Sequence, residues 1–373
     1  MISRRDWLKL AGAAGVVAAT PFAARAGEPE STRDGEVHCG LKRLVLRHTW
    51  TTTMSSSAYR DTVNVQYVRD GITGYGEGAP IIRYKEFPAQ AMQAIDAIRN
   101  QIAAGDPWMY EKTLTQIRQA LGNHQRAAMA AVDIAFFDWL GKKLDLTLYR
   151  FLGLDPADAP ITDFSIGIDT PEITRQKTRE AEDFPVLKVK VGLKTDEPTI
   201  EAVRSVTKKP IRVDANEGWT DKEEAIRKIN WLESQGVEYV EQPMPASMIE
   251  ETRYVRSKVH LPIFADEACT DVTMIPKLVD AYDGINVKLD KAGGILESCR
   301  WIQVARAMKM KVMLGCMVSS SCSVTAAAHL SPLVDYADLD GNLLVANDPW
   351  RGVRVEKGKL LLPDGPGLGL QPS

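Results

Sequence analysis

The chain has 373 residues, 45% hydrophobic and 25% charged, with a formal net charge of −3 and a pI ≈ 6.0. These values match the average of soluble globular proteins, which excludes a disordered, collagen-like or multi-span membrane chain for its bulk. There is no basic surplus to hold a nucleic-acid backbone, so nucleic acid is not an expected partner.

The first 26 residues depart from that average. A charged start with Arg4, Arg5 and Lys9 precedes an Ala/Gly/Val-rich run to Phe22, then Ala24-Arg25-Ala26. That is the layout of an export signal, and Ser3-Arg4-Arg5-x-x-Leu8-Lys9 resembles the twin-arginine type. The apolar run is too short to span a bilayer. The expectation is a signal over residues 1–26, cleaved after Ala26, with a periplasmic mature protein that has no membrane contact. Loss of Arg4, Arg5, Lys9 and Arg25 against Asp6 alone would make the mature chain more acidic. Twin-arginine export carries folded proteins, which hints at a metal or cofactor. The five cysteines contain no Cys-x-x-Cys pair and read as free thiols. The five histidines lack ligand spacing, which argues against a zinc site.

Residues 37–85 alternate in short runs such as Thr62–Val68, followed by the turn Arg69-Asp-Gly-Ile72, and predict an antiparallel meander. From 88 to 141 the spacing turns helical, with Ala91, Ile95, Ile98 and Ile102, then Ala127, Ala131, Ile134 and Leu140. A first α+β lobe over 37–155 follows. From 156 to 340 eight β-rich runs alternate with amphipathic stretches: Ile161–Ile168, Val186–Val191, Ile211–Val213, Val237–Val240, Ile263–Ala265, Ile285–Val287, Val312–Leu314 and Val334–Leu339. That rhythm predicts parallel βα units, most simply a barrel. The tail, 341–373, is rich in Gly and Pro; Leu343–Ala346 and Val353–Glu356 are expected to be short strands packing back on the first lobe.

Five successive strands end in ionisable groups: Lys188 and Lys190, Asp214 with Asn216, Glu241, Asp266 with Glu267, and Lys288. The C-terminal strand ends of a βα barrel converge on one mouth, where catalysis sits. Burying such charges costs several kcal/mol each unless they pair or bind a cation. Asp214, Glu241 and Asp266 offer hard oxygen ligands, which select Mg²⁺, with Mn²⁺ as a substitute. Asn216 and Glu267 are expected to support them. Lys188 and Lys190 share a face, and Lys288 lies across the mouth. A carboxylate substrate on the metal, with a lysine removing its α-proton and the metal holding the enediolate, fits this set. A base must be neutral, and Lys188 or the metal is expected to lower its pKa. A second lysine returning a proton to the opposite face would make the reaction a racemisation or epimerisation.

Together with Gly74-Tyr-Gly-Glu-Gly78, the helix Ala131–Lys143 and Asn286-Val-Lys288-Leu-Asp-Lys-Ala-Gly-Gly294, these motifs resemble the enolase superfamily, in its muconate-lactonising-like subgroup. The resemblance implies a (β/α)7β-type TIM barrel with an N-terminal α+β capping domain. It also implies metal ligands Asp214, Glu241 and Asp266 and acid/base lysines Lys190 and Lys288. Asp338-Leu-Asp340 resembles the Asp-x-Asp of dipeptide epimerases, which holds a substrate ammonium. Cys316, Met317 and Ser319, and Thr53 in the loop Thr51–Tyr59, are then implied substrate contacts. Arg60 and Arg83 are the candidates to meet a side-chain carboxylate. The expectation is a Mg²⁺-dependent dipeptide epimerase, a homo-oligomer, acting on murein or small hydrophobic dipeptides. N-acylamino-acid racemisation, o-succinylbenzoate synthesis or cycloisomerisation is the neighbouring alternative. A non-catalytic dipeptide-binding protein is the alternative of another class.

Overall fold

The computed structural model describes residues 35–373; the signal expected over 1–26 lies outside them. The chain begins with an antiparallel meander of β1 (Glu36–Thr51), β2 (Ser56–Arg69) and β3 (Ile72–Gly78). Arg69 pairs with Ile72 across a tight turn in which Asp70 and Gly71 take φ of 53° and 73°, the geometry that matches strand twist. Four helices follow: α1 (Pro88–Ala97), α2 (Arg99–Ala104), α3 (Tyr110–Leu121) and α4 (Arg126–Leu144). α4 is buried from Ala127 to Gly141 on every side. A helix can be apolar all round only when it is covered all round. One side of α4 meets β3 and the other meets the barrel.

The Gly-x-Gly-x-Gly stripe of β3 explains how closely the sheet approaches. A Cβ on Gly76 would lie 1.9 Å from the Ala131 carbonyl oxygen, and one on Gly78 the same distance from that of Ala127. Strand and helix backbones touch there, and no other residue type fits.

Eight parallel strands form one sheet in sequence order: β4 (Phe164–Ile166), β5 (Leu187–Lys190), β6 (Ile211–Asp214), β7 (Val237–Glu241), β8 (Ile263–Ala265), β9 (Gly284–Val287), β10 (Lys311–Gly315) and β11 (Tyr336–Asp338). An isolated parallel bridge from Thr162, two residues before β4, to Ala337 of β11 closes the barrel. Between them run α5 (Pro171–Glu180), α6 (Asp196–Arg204), α7 (Lys222–Ser234), α8 (Ile249–Arg256), α9 (Ile275–Leu278), α10 (Ile295–Ala307) and α11 (Ser321–Ala328). Residues two apart on a strand share a face. The inward set therefore stacks in layers. Tyr239, Phe264, Met313 and Tyr336 pack together below, with Arg212 over two of the rings. The strand-end charges come next above them.

The tail holds two small pairs, β12 (Trp350–Arg351) with β15 (Gln371–Pro372) and β13 (Arg354–Glu356) with β14 (Lys359–Leu361). The expected strand at Leu343–Ala346 is instead a turn. Leu343 and Val345 donate to the Asp340 and Asn342 carbonyls just behind them, which curls the backbone, but the segment does pack on the first lobe as expected: Arg47 N donates to Leu344 O, Ala346 N to Val45 O, and Val345 bridges to Leu46 of β1. The β13–β14 hairpin lies against the barrel, where Thr162 N donates to Gly358 O, rather than on the first lobe. The tail reaches α4 further on, through Leu368 N to Asp138 Oδ1.

Candidate active site

Strand register sets the site. Lys190 lies beside Asp214, and Asp214 beside Glu241, in adjacent strands. Asp266 follows β8 directly and Lys288 follows β9. One oxygen of each of Asp214, Glu241 and Asp266 lies within 4.8 Å of the others, and all three residues are buried.

Lysines surround this triad. Lys190 Nζ donates to Asp214 Oδ2 at 2.5 Å, and Lys288 Nζ to Asp266 Oδ2 at 2.8 Å. Fully buried Lys188 lies 2.5 Å from both Glu241 and Asp338. Lys291 donates to Asp266 Oδ1 at 2.5 Å and to the Asp266 and Asn286 carbonyls at 2.8 Å. Burial alone would raise Asp266, but Lys288 and Lys291 outweigh it and hold that carboxyl well below the usual range. Glu241 is pushed the other way, up to about 7, by burial and by the charge of Asp214. Glu267 rises to about 8 through burial and Asp266.

The residues fit a hard divalent cation. The donors are three carboxylates with no His or Cys, the set that suits Mg²⁺. Glu241 Oε2 receives no well-directed hydrogen bond, although Lys188 Nζ is 2.5 Å away. Glu267 Oε2 and Asn216 Oδ1 are likewise buried without a partner, while Asn216 Nδ2 donates to Glu267 Oε1 at 3.1 Å. Buried oxygens in such surplus call for a positive charge.

The lysine pKa expected from the sequence is not what the protein side chains alone produce. Burial would lower Lys288, but Asp266 and Glu241 face it and raise it above the ordinary range. A cation shared by those carboxylates would remove that effect, so the base and the metal are one device.

A cavity of about 430 Å³ opens onto this mouth. Lys190, Lys288, Asn216, Asp266, Glu267, Cys316 and Met317 line it. Asp338 and Asp340 stand behind its wall. Asp338 Oδ2 accepts from Lys188, and Asp340 Oδ2 accepts from Ser165 N at 2.5 Å. Lys188 and Lys190 overcome burial and hold Asp338 low, whereas burial and Asp338 push Asp340 up to about 7. Cys316 is near enough for both charges to add to the burial that raises its thiol. Thr53 and Ser319 are off the cavity wall. Thr53 Oγ1 donates to Asn216 O at 2.6 Å, and Ser319 Oγ to Met317 O at 3.1 Å. Both hold loops that shape the cavity. Arg83 is taken by a two-pronged pair with Glu217 at 2.5 and 2.7 Å.

Sequence reasoning gave no role to Asn286, Lys291 or Ser165. Asn286 Nδ2 donates to Glu241 Oε1 at 2.7 Å. Its signal was parity: it lies two residues before Lys288 and so faces inward. Lys291 follows Lys288 by one helical turn. Gln242, between β7 and the next loop, is fully buried, and its Oε1 accepts from Asp266 N and Ala268 N at 2.9 and 3.0 Å.

A closed βα barrel under an α+β cap, with a carboxylate triad between lysines at its mouth, defines a class of metal-dependent proton-transfer barrels. Residues 41–153 match the mandelate racemase / muconate lactonizing enzyme N-terminal domain, and residues 172–373 the enolase C-terminal domain-like family. The chain belongs to this family, within the enolase superfamily. It is 38% identical to the L-Ala-D/L-Glu epimerase of Bacteroides thetaiotaomicron, over 99% of both chains. It is 34% identical to a hydrophobic dipeptide epimerase of Enterococcus faecalis, over 90% of this chain and 98% of that one. Among solved structures it resembles the dipeptide epimerase of Enterococcus faecalis complexed with Mg and L-Leu-L-Tyr. That match has a TM-score of 0.85 and 33% identity, over 91% of this chain and 99% of that one.

Proposed function

We propose that the protein is a Mg²⁺-dependent dipeptide epimerase, an isomerase that moves one proton at the α-carbon of the substrate's C-terminal residue. The observation that carries this reading is the placement of Lys190 and Lys288. Lys190 ends β5 and Lys288 follows β9, four strands apart in an eight-stranded barrel, on either side of the triad and both lining one cavity. An α-carbon between them has a proton acceptor on one face and a donor on the other.

Asp214, Glu241 and Asp266 would hold the metal. Bound there, it would supply Lewis acidity to the substrate carboxylate and offset the carboxylate charge that keeps Lys288 protonated. Lys188, Lys291 and Asn286 orient the triad. The acidic pair Asp338 and Asp340, just behind the cavity wall, suits the α-ammonium of a dipeptide, which would bring a positive charge against the pair's own repulsion and which an N-acyl amino acid does not carry.

Incubation of the protein with a dipeptide library and Mg²⁺ in heavy water tests this by mass gains of one unit. Absence of exchange from every dipeptide would sink it. Changing Asp338 and Asp340 together to Asn is expected to abolish exchange of dipeptides. If the double variant exchanged dipeptides as before while the parent protein also racemised N-acyl amino acids, the neighbouring reaction of the superfamily would replace this one.

The pattern over residues 1–26 supports a twin-arginine signal and a periplasmic enzyme, and cell-wall peptides are then a natural source in peptidoglycan recycling. Fractionation with N-terminal sequencing tests the location. Sedimentation tests the expected homo-oligomer.

A further inference from the structure

We propose that Arg60 sets the substrate preference by receiving an acidic side chain on the dipeptide. This rests on the reading of the cavity as an epimerase site, and it adds what that reading leaves open, the side-chain class.

Four cationic side chains line the cavity: Arg60, Arg83, Lys190 and Lys288. Three are already matched by carboxylates. Arg83 holds Glu217, Lys190 holds Asp214 and Lys288 holds Asp266. The cavity's acids outside the barrel mouth are engaged elsewhere. Asp61 pairs with Arg43, and Glu86 accepts from the backbone of Arg126 and Ala127. The Arg60 guanidinium has no ion pair or hydrogen bond among the described residues.

Its surroundings make that unusual. Arg60 lies on β2 opposite Leu44 of β1, which is fully buried and packs with Val318 and Trp50. Val318 and Trp50 also line the cavity. Burial there lowers the guanidinium pKa, with no neighbouring acid to oppose it. A cation partly withdrawn from water and left without a partner costs free energy that an incoming anion would recover. The substrate's main-chain carboxylate would be taken by the metal that the triad holds, so the anion left for Arg60 is a side chain. Arg60 also stands on a strand of a three-stranded sheet and not on the adjoining loop, so its position is fixed before substrate arrives.

The test compares L-Ala-L-Glu with L-Ala-L-Gln in the full-length protein with Mg²⁺, by deuterium exchange and by calorimetric binding. The parent protein is expected to favour the acid at least about tenfold in kcat/KM, since a site built for a charged group rejects its neutral isostere. Arg60→Met is expected to bring that ratio close to one, mainly through the KM for the acid. Arg60→Lys should keep part of it. The idea is overturned if the parent protein shows no preference for the acid, a result that needs no variant. It is also overturned if Arg60→Met lowers both peptides equally. Exchange of both peptides without acid preference would defeat the Arg60 assignment and leave the epimerase reading standing. Acid-selective binding that Arg60→Met removes, without exchange of any dipeptide, would do the reverse.

Discussion

The protein buries carboxylates in two places and answers them differently. At the barrel mouth, Asp214, Glu241, Asp266 and Asp338 are met by lysine side chains. Along the seam where α4 joins cap to barrel, three buried acids are met chiefly by backbone amides, while Asp138 takes both amides and Lys142. Glu86 accepts from Arg126 N and Ala127 N at the start of α4, and Asp133 from Ile295 N and Leu296 N at the start of α10. Glu77 accepts from Ser320 N and Ser323 N at the start of α11. Helix N-termini carry unpaired N–H groups and a positive dipole end, so an acid there locks two elements together. An amide cannot give up its proton or turn away. A lysine can do both. The seam's acids therefore serve structure, and the mouth's acids serve chemistry.

Four substitutions or titrations should separate the two regions. The largest effect belongs to the mouth. Lys190→Ala or Lys288→Ala should lower kcat for α-deuterium exchange by about 10²–10⁴. Each variant should lose exchange of one epimer more than of the other, and equal loss for both would contradict opposed placement. At the seam, Gly76→Ala drives a methyl group into the Ala131 carbonyl. It should cost about 3 kcal/mol in urea unfolding, with activity per folded molecule retained.

Next is a titration. His329 is fully buried, takes Tyr149 N–H on Nδ1 and lies 3.3 Å from Leu368 O through Nε2. Burial lowers its pKa from 6.5 to about 4. Below pH 6.5 the unfolded chain binds a proton that the folded one refuses. The stability His329 supports is complete above 6.5 and is lost as pH falls through about 4, by about 3 kcal/mol. His329→Gln should flatten that limb of a stability–pH curve, and an unchanged limb would assign it to another group. The smallest effect is expected from Asp138→Asn. It removes the ion pair with Lys142, weakens acceptance from Tyr75 N and Leu368 N, and should cost about 1–3 kcal/mol by thermal unfolding, with exchange kinetics intact.

The mouth is legible in the sequence because of strand parity. An apolar run ending in a charge gives the strand, its direction and the inward residue at once, so spacing alone places Lys190, Asp214, Glu241, Asp266 and Lys288 together. The seam is less legible. Asp133 and Glu77 look like any helix or strand acid until the helix N-termini they meet are known, and those lie 162 and 243 residues away. The same distance problem hides the pairing of Arg83 with Glu217, 134 residues apart, and so leaves two arginines as candidates in the sequence where the fold leaves Arg60. Leu343–Ala346 misleads because its apolar content reads as a strand, whereas local backbone bonds from Leu343 and Val345 make it a turn.

The hydrogen bond from Leu368 to Asp138 spans 230 residues. The helix it completes is synthesised early, but this partner is made 230 residues later. Gly367 likewise trades backbone bonds with Leu146 and Leu148 near the end of the first lobe. Contacts at such separation form late, because closing a long loop costs entropy before any contact rewards it. The last backbone partners of the cap therefore come from a segment that follows the whole barrel in the chain.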